Sequence, residues 1–223
     1  GLCQTAAFQG LEQWALLDGG AGHVALLAYT MPFWAVLLAW LLLGDRPTAR
    51  HWLGLALAAL GLLCIIEPWH DMGSIVSTTL AIAGGAAWAA GTVLSKRMFH
   101  RHAPSVLNLT AWQMLLGGMA LGLLALAVPE RAIEWNRAFI GGLTYSVLLA
   151  SSLAWWLWSI VLQRLPTTVA SVSSLGVPIV SVLLAWLILH EQPSAMELVG
   201  IVFVLLGLLA VSGVGARRRP GMP

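Results

Sequence analysis

Residues 32–47 read PFWAVLLAWLLLGDRP, and residues 178–193 read PIVSVLLAWLILHEQP. The two stretches lie 146 residues apart, and the same offset holds without a gap through Trp40/Trp186, Pro47/Pro193, Gly54/Gly200 and Gly61/Gly207. From Pro32 to Cys64, 15 of 33 positions match their counterparts. Leucine matches arise easily in an apolar chain. Pro, Trp and Gly matches at one fixed offset do not, so the sequence carries an internal repeat.

What kind of chain repeats itself follows from composition. Hydrophobic residues make up 59%, charged residues only 9%, and the mean hydropathy is +0.87. A soluble domain carries about 25% charged residues, so this chain cannot cover a water-facing surface and reads as an integral membrane protein. A bilayer core needs roughly 20 apolar residues per helix. The pattern predicts spans near residues 1–17, 20–43, 51–67, 74–95, 105–128, 138–163, 166–189 and 195–215. The fold class is therefore all-α, a polytopic membrane helix bundle; the alternation of a β-barrel is absent. A net charge of +2 with no basic face argues against nucleic acid. Cys3 and Cys64 fall at different depths, too far apart for a disulfide.

Lys and Arg set the orientation. Arg46, Arg50, Lys96, Arg97, Arg101, Arg164 and Arg217–Arg219 lie at one set of helix ends, against Arg131 and Arg137 at the other. The first set, with the C-terminus, is expected in the cytoplasm. GDRPTAR then lies inside and its copy HEQPSAME outside, so the two copies point in opposite directions and the repeat unit holds an odd number of spans, five. Gly1 opens on GLCQTAAFQGLEQWALL, which reads as the middle of a helix, and it pairs with Val147 although the second repeat starts near Ser74. The expectation is an N-terminally truncated chain with about eight spans of ten. Residues 1–70 would be the C-terminal part of a first repeat (three spans, the first cut short), 74–215 a second repeat of five spans, and 216–223 a cytoplasmic tail.

Three segments then carry a family likeness: LLAYTMPFWAVLLAWLLLGDRPTARHWLGLALAALGLLCI, AGGAAWAAGTVLSKR and VPIVSVLLAWLILHEQPSAMELVGIVFVLLGLLAV. The chain resembles bacterial EamA-type members of the drug/metabolite transporter superfamily, over essentially its whole length. The resemblance implies inverted five-helix repeats, an inner-membrane location, both termini cytoplasmic, and export or exchange of small metabolites. The chain departs from the pattern by lacking the first two helices and part of the third.

Polar groups inside a membrane are costly unless they meet partners or water, so they are the first candidates for a site. Thr5, Gln9 and Gln13 share one helical face, and their counterparts Ser151, Trp155 and Ser159 form the same stripe in the other copy. Both stripes are expected to line a central cavity; the alternative is bonding between neighbouring helices. Glu12 is the only acid well inside a span, either a proton-coupling carboxylate, a partner for a cationic solute, or a wetted acid near the outer interface. Pro32 and Pro178 each remove a backbone hydrogen bond within a span. Tyr29 precedes the first, Ser171 and Ser174 the second, and Trp34 joins from the same helix. Trp88 between Gly84 and Gly91, and Trp112 with Asn108 and Gln113, offer an aromatic wall suited to a planar or cationic solute. Packing is the plainer reading of both tryptophans. Gly118-x-x-x-Gly122 reads as close helix packing, with a homodimer interface as the alternative. Glu67, His70 and Asp71 have no second ligand cluster, so neither metal nor cofactor is expected.

A secondary transporter working by alternating access fits inverted repeats best. Its expected partners are a small amino acid, amine or similar solute, membrane lipid and a coupling proton. No phosphate-binding G-x-x-x-x-G-K, H-E-x-x-H or G-x-S-x-G occurs, so ATP-driven transport and the common hydrolase chemistries are not expected. The remaining alternative is a structural or accessory membrane protein, which needs no two-sided symmetry.

Overall fold

The computed structural model describes residues 1–19, 24, 27–66, 74–128, 135–190 and 193–212. Among these residues the chain is helical and no strand forms. Helix α1 begins as a π-helical stretch, Leu2–Ala7, and continues as Phe8–Asp18. Then come α2 (Met31–Leu43), α3 (Ala49–Ile66), α4 (Ile75–His102) and α5 (Val106–Ala127). Helix α6 runs through Arg137–Tyr145, a π-helical Ser146–Leu153 and Ala154–Arg164. Helix α7 is built from Thr167–Ser173, Gly176–Leu184 and Ala185–Leu189, and α8 is Ala195–Ser212. Of these, α4, α5, α6 and the Thr167–Ile188 part of α7 are long and apolar enough to cross a bilayer; α2, α3 and α8 are shorter apolar helices. Large apolar side chains such as Leu123, Leu126, Leu148 and Leu187 stand exposed on the outside of the bundle. That surface suits lipid and would be a liability in water.

Polar residues start the helices where the hydropathy changes. The side chains of Ser74, Ser105 and Asn136 accept from the backbone N–H of Ser77, Asn108 and Phe139, each satisfying a donor that the first turn leaves free. At α8 the cap is reciprocal: Glu197 N–H donates to Ser194 Oγ and Ser194 N–H to Glu197 Oε2. The counterpart of this pair in the other copy is Thr48 and His51, where Thr48 N–H donates to His51 Nδ1 at 3.1 Å. An imidazole thus replaces the carboxylate in the same local structure.

The repeat is visible in the backbone as well. Gly44 ends α2 with φ +74°, and its counterpart His190 has φ +56° after α7. Both copies therefore stop the helix with a left-handed residue, although only one uses glycine. Ahead of each proline the chain makes a three-residue turn: Thr30 N–H donates to Leu27 O just before α2, and Ser174 N–H to Ser171 O between the first two segments of α7. Nearby hydroxyls reinforce both breaks, Thr30 Oγ1 donating to Leu27 O and Ser174 Oγ to Ser171 O.

The main core joins the two copies. It contains Val36, Leu55, Ala58, Val172, Leu175, Ile179, Val204 and Val211, with Tyr29, Phe33, Ile65 and Ile201 packed against it. At the repeat offset, Leu55 corresponds to Ile201, Ala58 to Val204, Phe33 to Ile179, Tyr29 to Leu175 and Ile65 to Val211. Equivalent residues meet in one core, as a local two-fold axis requires. Helices α3 and α8 cross at its centre, where Gly54 faces Gly207 and Gly61 faces Gly200. That order of contacts makes the two helices antiparallel.

Candidate functional site

Helix α1 is wedged against α4 and α5, and glycines decide how close it comes. A Cβ on Gly91 would stand 2.5 Å from Gln4 Cβ, and one on Gly117 would clash with the Thr5 side chain. Gly84 lies under Phe8, Leu11 and Glu12. The contact order makes α1 antiparallel to α4 and parallel to α5. The Gly84/Gly91 face of α4 is therefore filled by α1. Gly118 and Gly122, by contrast, have open space around them.

The close approach brings amides and hydroxyls together. Gln4 Nε2 donates to Thr92 Oγ1 at 3.0 Å, while Gln113 Nε2 donates to Gln4 Oε1 at 3.1 Å and to Ser95 Oγ at 2.8 Å. All four side chains are buried. Beside them, Thr110 Oγ1 donates to Ser159 Oγ at 2.8 Å, joining α5 to α6. Buried networks of this kind are rigid when every member is satisfied. A cavity of about 230 Å³ opens alongside, bordered by Cys3, Gly91, Ser95, Leu109, Trp112 and Gln113.

The aromatic part of the site lies between α4 and α6. Trp88 packs on Trp158 with ring centroids 4.9 Å apart and planes tilted by 42°. With Trp155 and Ala154 they line a cavity of about 150 Å³. Trp158 Nε1 is buried and has no hydrogen-bond partner. An indole N–H is donor only, so this one is left unsatisfied within the protein.

The sequence candidates divide accordingly. Gln113 is a hub of the network, Trp88 and Trp155 line the aromatic cavity, and exposed Trp112 borders the other cavity. Glu12 is half-buried over Gly84, one turn along α4 from Trp88, and within electrostatic reach of Tyr29. Tyr29 itself packs on the main core. Gln9 is half-buried, whereas Gln13 is exposed and borders a groove with Trp14 and Leu121. Trp34 is half-buried and lines none of these cavities, and Ser174 spends its hydroxyl on Ser171 O. Among the described residues no group of His, Cys, Asp or Glu could hold a metal; Glu67, His70 and Asp71 lie outside them, as do Arg131, Glu191 and Arg217–Arg219.

Sequence reasoning missed Gln4, Thr92, Ser95 and Lys96. The Thr5/Gln9/Gln13 stripe assumed α-helical spacing throughout, but Leu2–Ala7 is π-helical. Its wider turns advance each residue by a smaller angle, so Gln4 takes the buried position. The corresponding stretch of the other copy, Ser146–Leu153, is π-helical too.

The sequence profile of the EamA-like transporter family matches residues 1–67 and 76–213. The "Uncharacterized transporter YoaV" of Bacillus subtilis is 23% identical over 98% of this chain and 75% of its own length. A "Probable amino-acid metabolite efflux pump" of Salmonella typhimurium is 28% identical over 89% of this chain and 70% of its own. "Protein PecM" of Dickeya dadantii is 26% identical over 91% and 69%. A solved crystal structure superposes with a TM-score of 0.80 at 18% identity, covering 98% of this chain and 77% of that one. That likeness establishes the fold.

Proposed function

The chain belongs to the EamA-like transporter family, and from that premise we propose that it exports a small amino acid, amine or similar metabolite by alternating access. Family membership makes it a membrane transport protein rather than an enzyme, set in lipid and acting on a small solute. The observation that carries the finer reading is the core in which counterparts such as Leu55 and Ile201 meet. A bundle whose two copies share one core can rock about it and expose the same site to either side. In this reading residues 1–70 belong to one repeat, 74–215 to the other, and 216–223 are a tail. The inner membrane holds the protein with that tail in the cytoplasm, because Lys and Arg are so unevenly placed.

The solute site is assigned to the Trp88, Trp155 and Trp158 cavity, with Glu12 over Gly84, one turn along α4 from Trp88; Gln113 and Trp112 border a separate cavity, and Gln9, Gln13, Tyr29, Trp34 and Ser174 line neither. Its chemistry is aromatic and neutral-polar. Glu12 is the single acid and no arginine enters, which suits an amine or amino acid and disfavours a phosphorylated solute. The cavity of about 150 Å³ fits a small solute better than a drug-sized one, for which pockets start near roughly 300 Å³. The name of the Salmonella relative refers to amino-acid metabolites, in keeping with this chemistry. Glu12 is assigned the coupling proton.

Counterflow in proteoliposomes tests the proposal, with a panel of radiolabelled amino acids and amines. Saturable exchange of one class, lost in Trp88→Ala, supports it. Absence of exchange for every solute, with the protein correctly inserted, sinks it in favour of an accessory membrane protein.

A further inference from the structure

Helix α4 holds the ends of two equivalent helices, because α1 and α6 correspond at the offset of 146 residues. At one end of α4, Ser77 Oγ donates to Ala15 O near the C-terminus of α1, at 2.7 Å. At the other end, Lys96 Nζ donates to Leu162 O at 2.8 Å, Leu165 O at 2.7 Å and Gln163 O at 3.4 Å, all at the C-terminus of α6. Ala15 corresponds to Val161 and Leu16 to Leu162, so the same part of the same helix is gripped in both copies, at opposite ends of α4.

The two grips differ in kind. One is a single neutral hydrogen bond; the other uses all three ammonium donors of Lys96, a residue only 5% exposed. Charge-assisted bonds are roughly twice as strong as neutral ones. The last carbonyls of a helix have no partner within it, and here Pro166 follows at once and has no N–H to return to them. Lys96 is what satisfies them, and it sits where its positive charge meets the negative end of the α6 dipole. Asp45, in the turn between α2 and α3, is close enough to act on the ammonium electrostatically. The buried lysine thus ties α4 directly to the α6–α7 junction.

We propose that Lys96 is the latch that keeps the α6–α7 end of the transporter closed, and that the Ser77–Ala15 contact is its weaker counterpart at the opposite end. Lys96 is a positioning residue in this scheme and touches no solute. Breaking its bonds frees the α6 end from α4, while the pre-existing asymmetry leaves the Ser77 end as the one that opens more readily. The proposal rests on the alternating-access reading.

The test uses the full chain without its native thiols (Cys3→Ser, Cys64→Ser) and with Ser159→Cys as a buried reporter on α6. A membrane-impermeant maleimide is applied to right-side-out and to inside-out vesicles. Lys96→Met is expected to raise the labelling rate from the α6–α7 side roughly tenfold relative to the other side, the scale set by loss of a charge-assisted contact. Lys96→Gln, which keeps donors without charge, is expected to give a smaller shift in the same direction, and Ser77→Ala a shift in the opposite direction. An unchanged ratio in both Lys96 variants, with only a lowered melting temperature, overturns the latch and leaves a plain helix cap. If Ser77→Ala still moves the ratio in that case, alternating access stands without the latch. Labelling from one face only, in the parent and every variant, sinks the alternating-access reading itself.

Discussion

Gly61 of α3 and Gly200 of α8 lie back to back: a Cβ on either would stand 2.6 Å from the other's carbonyl oxygen. Backbone cannot yield as a flexible side chain does, so an alanine at either site must push the helices apart. Gly61→Ala and Gly200→Ala are each expected to cost about 1–3 kcal/mol, the range for overpacking. The double variant should cost less than the sum, since the first methyl already makes the gap. Gly118→Ala, with nothing within 4 Å, is the control and should be neutral or stabilising by up to ~1 kcal/mol from helix propensity. Thermal unfolding in detergent distinguishes these outcomes.

Left-handed residues give a second prediction, of opposite sign. Ala103 after α4 and His190 after α7 hold φ values of +42° and +56°, a region that costs side-chain-bearing residues roughly 1–2 kcal/mol. Ala103→Gly and His190→Gly should each raise the melting temperature, while Gly44→Ala should lower it.

The buried amide network predicts strong coupling. Gln113→Leu strips partners from both Gln4 and Ser95, and an unsatisfied buried polar group costs about 1–3 kcal/mol. Gln4→Leu with Gln113→Leu removes donor and acceptor together and should be less damaging than the two single effects added. Additive losses in a double-mutant cycle would show that the two amides do not depend on each other.

Trp158→Phe removes the partnerless Nε1 and keeps most of the ring. Because that N–H bonds nothing in the protein, the melting temperature should change little, while the KM for counterflow rises several-fold if a solute acceptor meets it. A fall in stability with KM unchanged would make Trp158 a packing residue.

Glu12→Gln separates coupling from binding. Solute accumulation driven by a pH gradient should disappear while counterflow persists; loss of both would place Glu12 in the solute contact instead.

Much of the fold could be read from residue spacing. Hydropathy places α3, α5 and α6 within two residues of their observed bounds, because lipid demands a long apolar run and caps such as Ser105 and Asn136 mark where it starts. The offset aligns Gly54 with Gly200 and Gly61 with Gly207, but it cannot say that Gly54 meets Gly207. That crossing is a property of two helices packing, which no single helix contains. The site was less legible. Gln4 is buried through a π-helical turn that apolar periodicity does not announce. In the sequence Lys96 reads as one of nine topology charges, yet its ammonium is spent on carbonyls of a helix 66 residues away in sequence. Gln113 and Trp88 stand out in the sequence as an amide and an indole among small residues, and they lie in the buried network and beside the aromatic cavity.

The pairing of α3 with α8 also has a consequence for biosynthesis. Equivalent points of the two helices are separated by 146 residues, and ribosomes add roughly 5–20 residues per second. From its own insertion, the glycine face of α3 must wait on the order of 7–30 seconds, by that rate, before α8 emerges to cover it. Throughout that interval α3 offers a bare backbone surface to any other helix leaving the same translocon. The self-complementary groove that joins α3 to α8 in the finished protein thus stays unpartnered while the chain between them is being made.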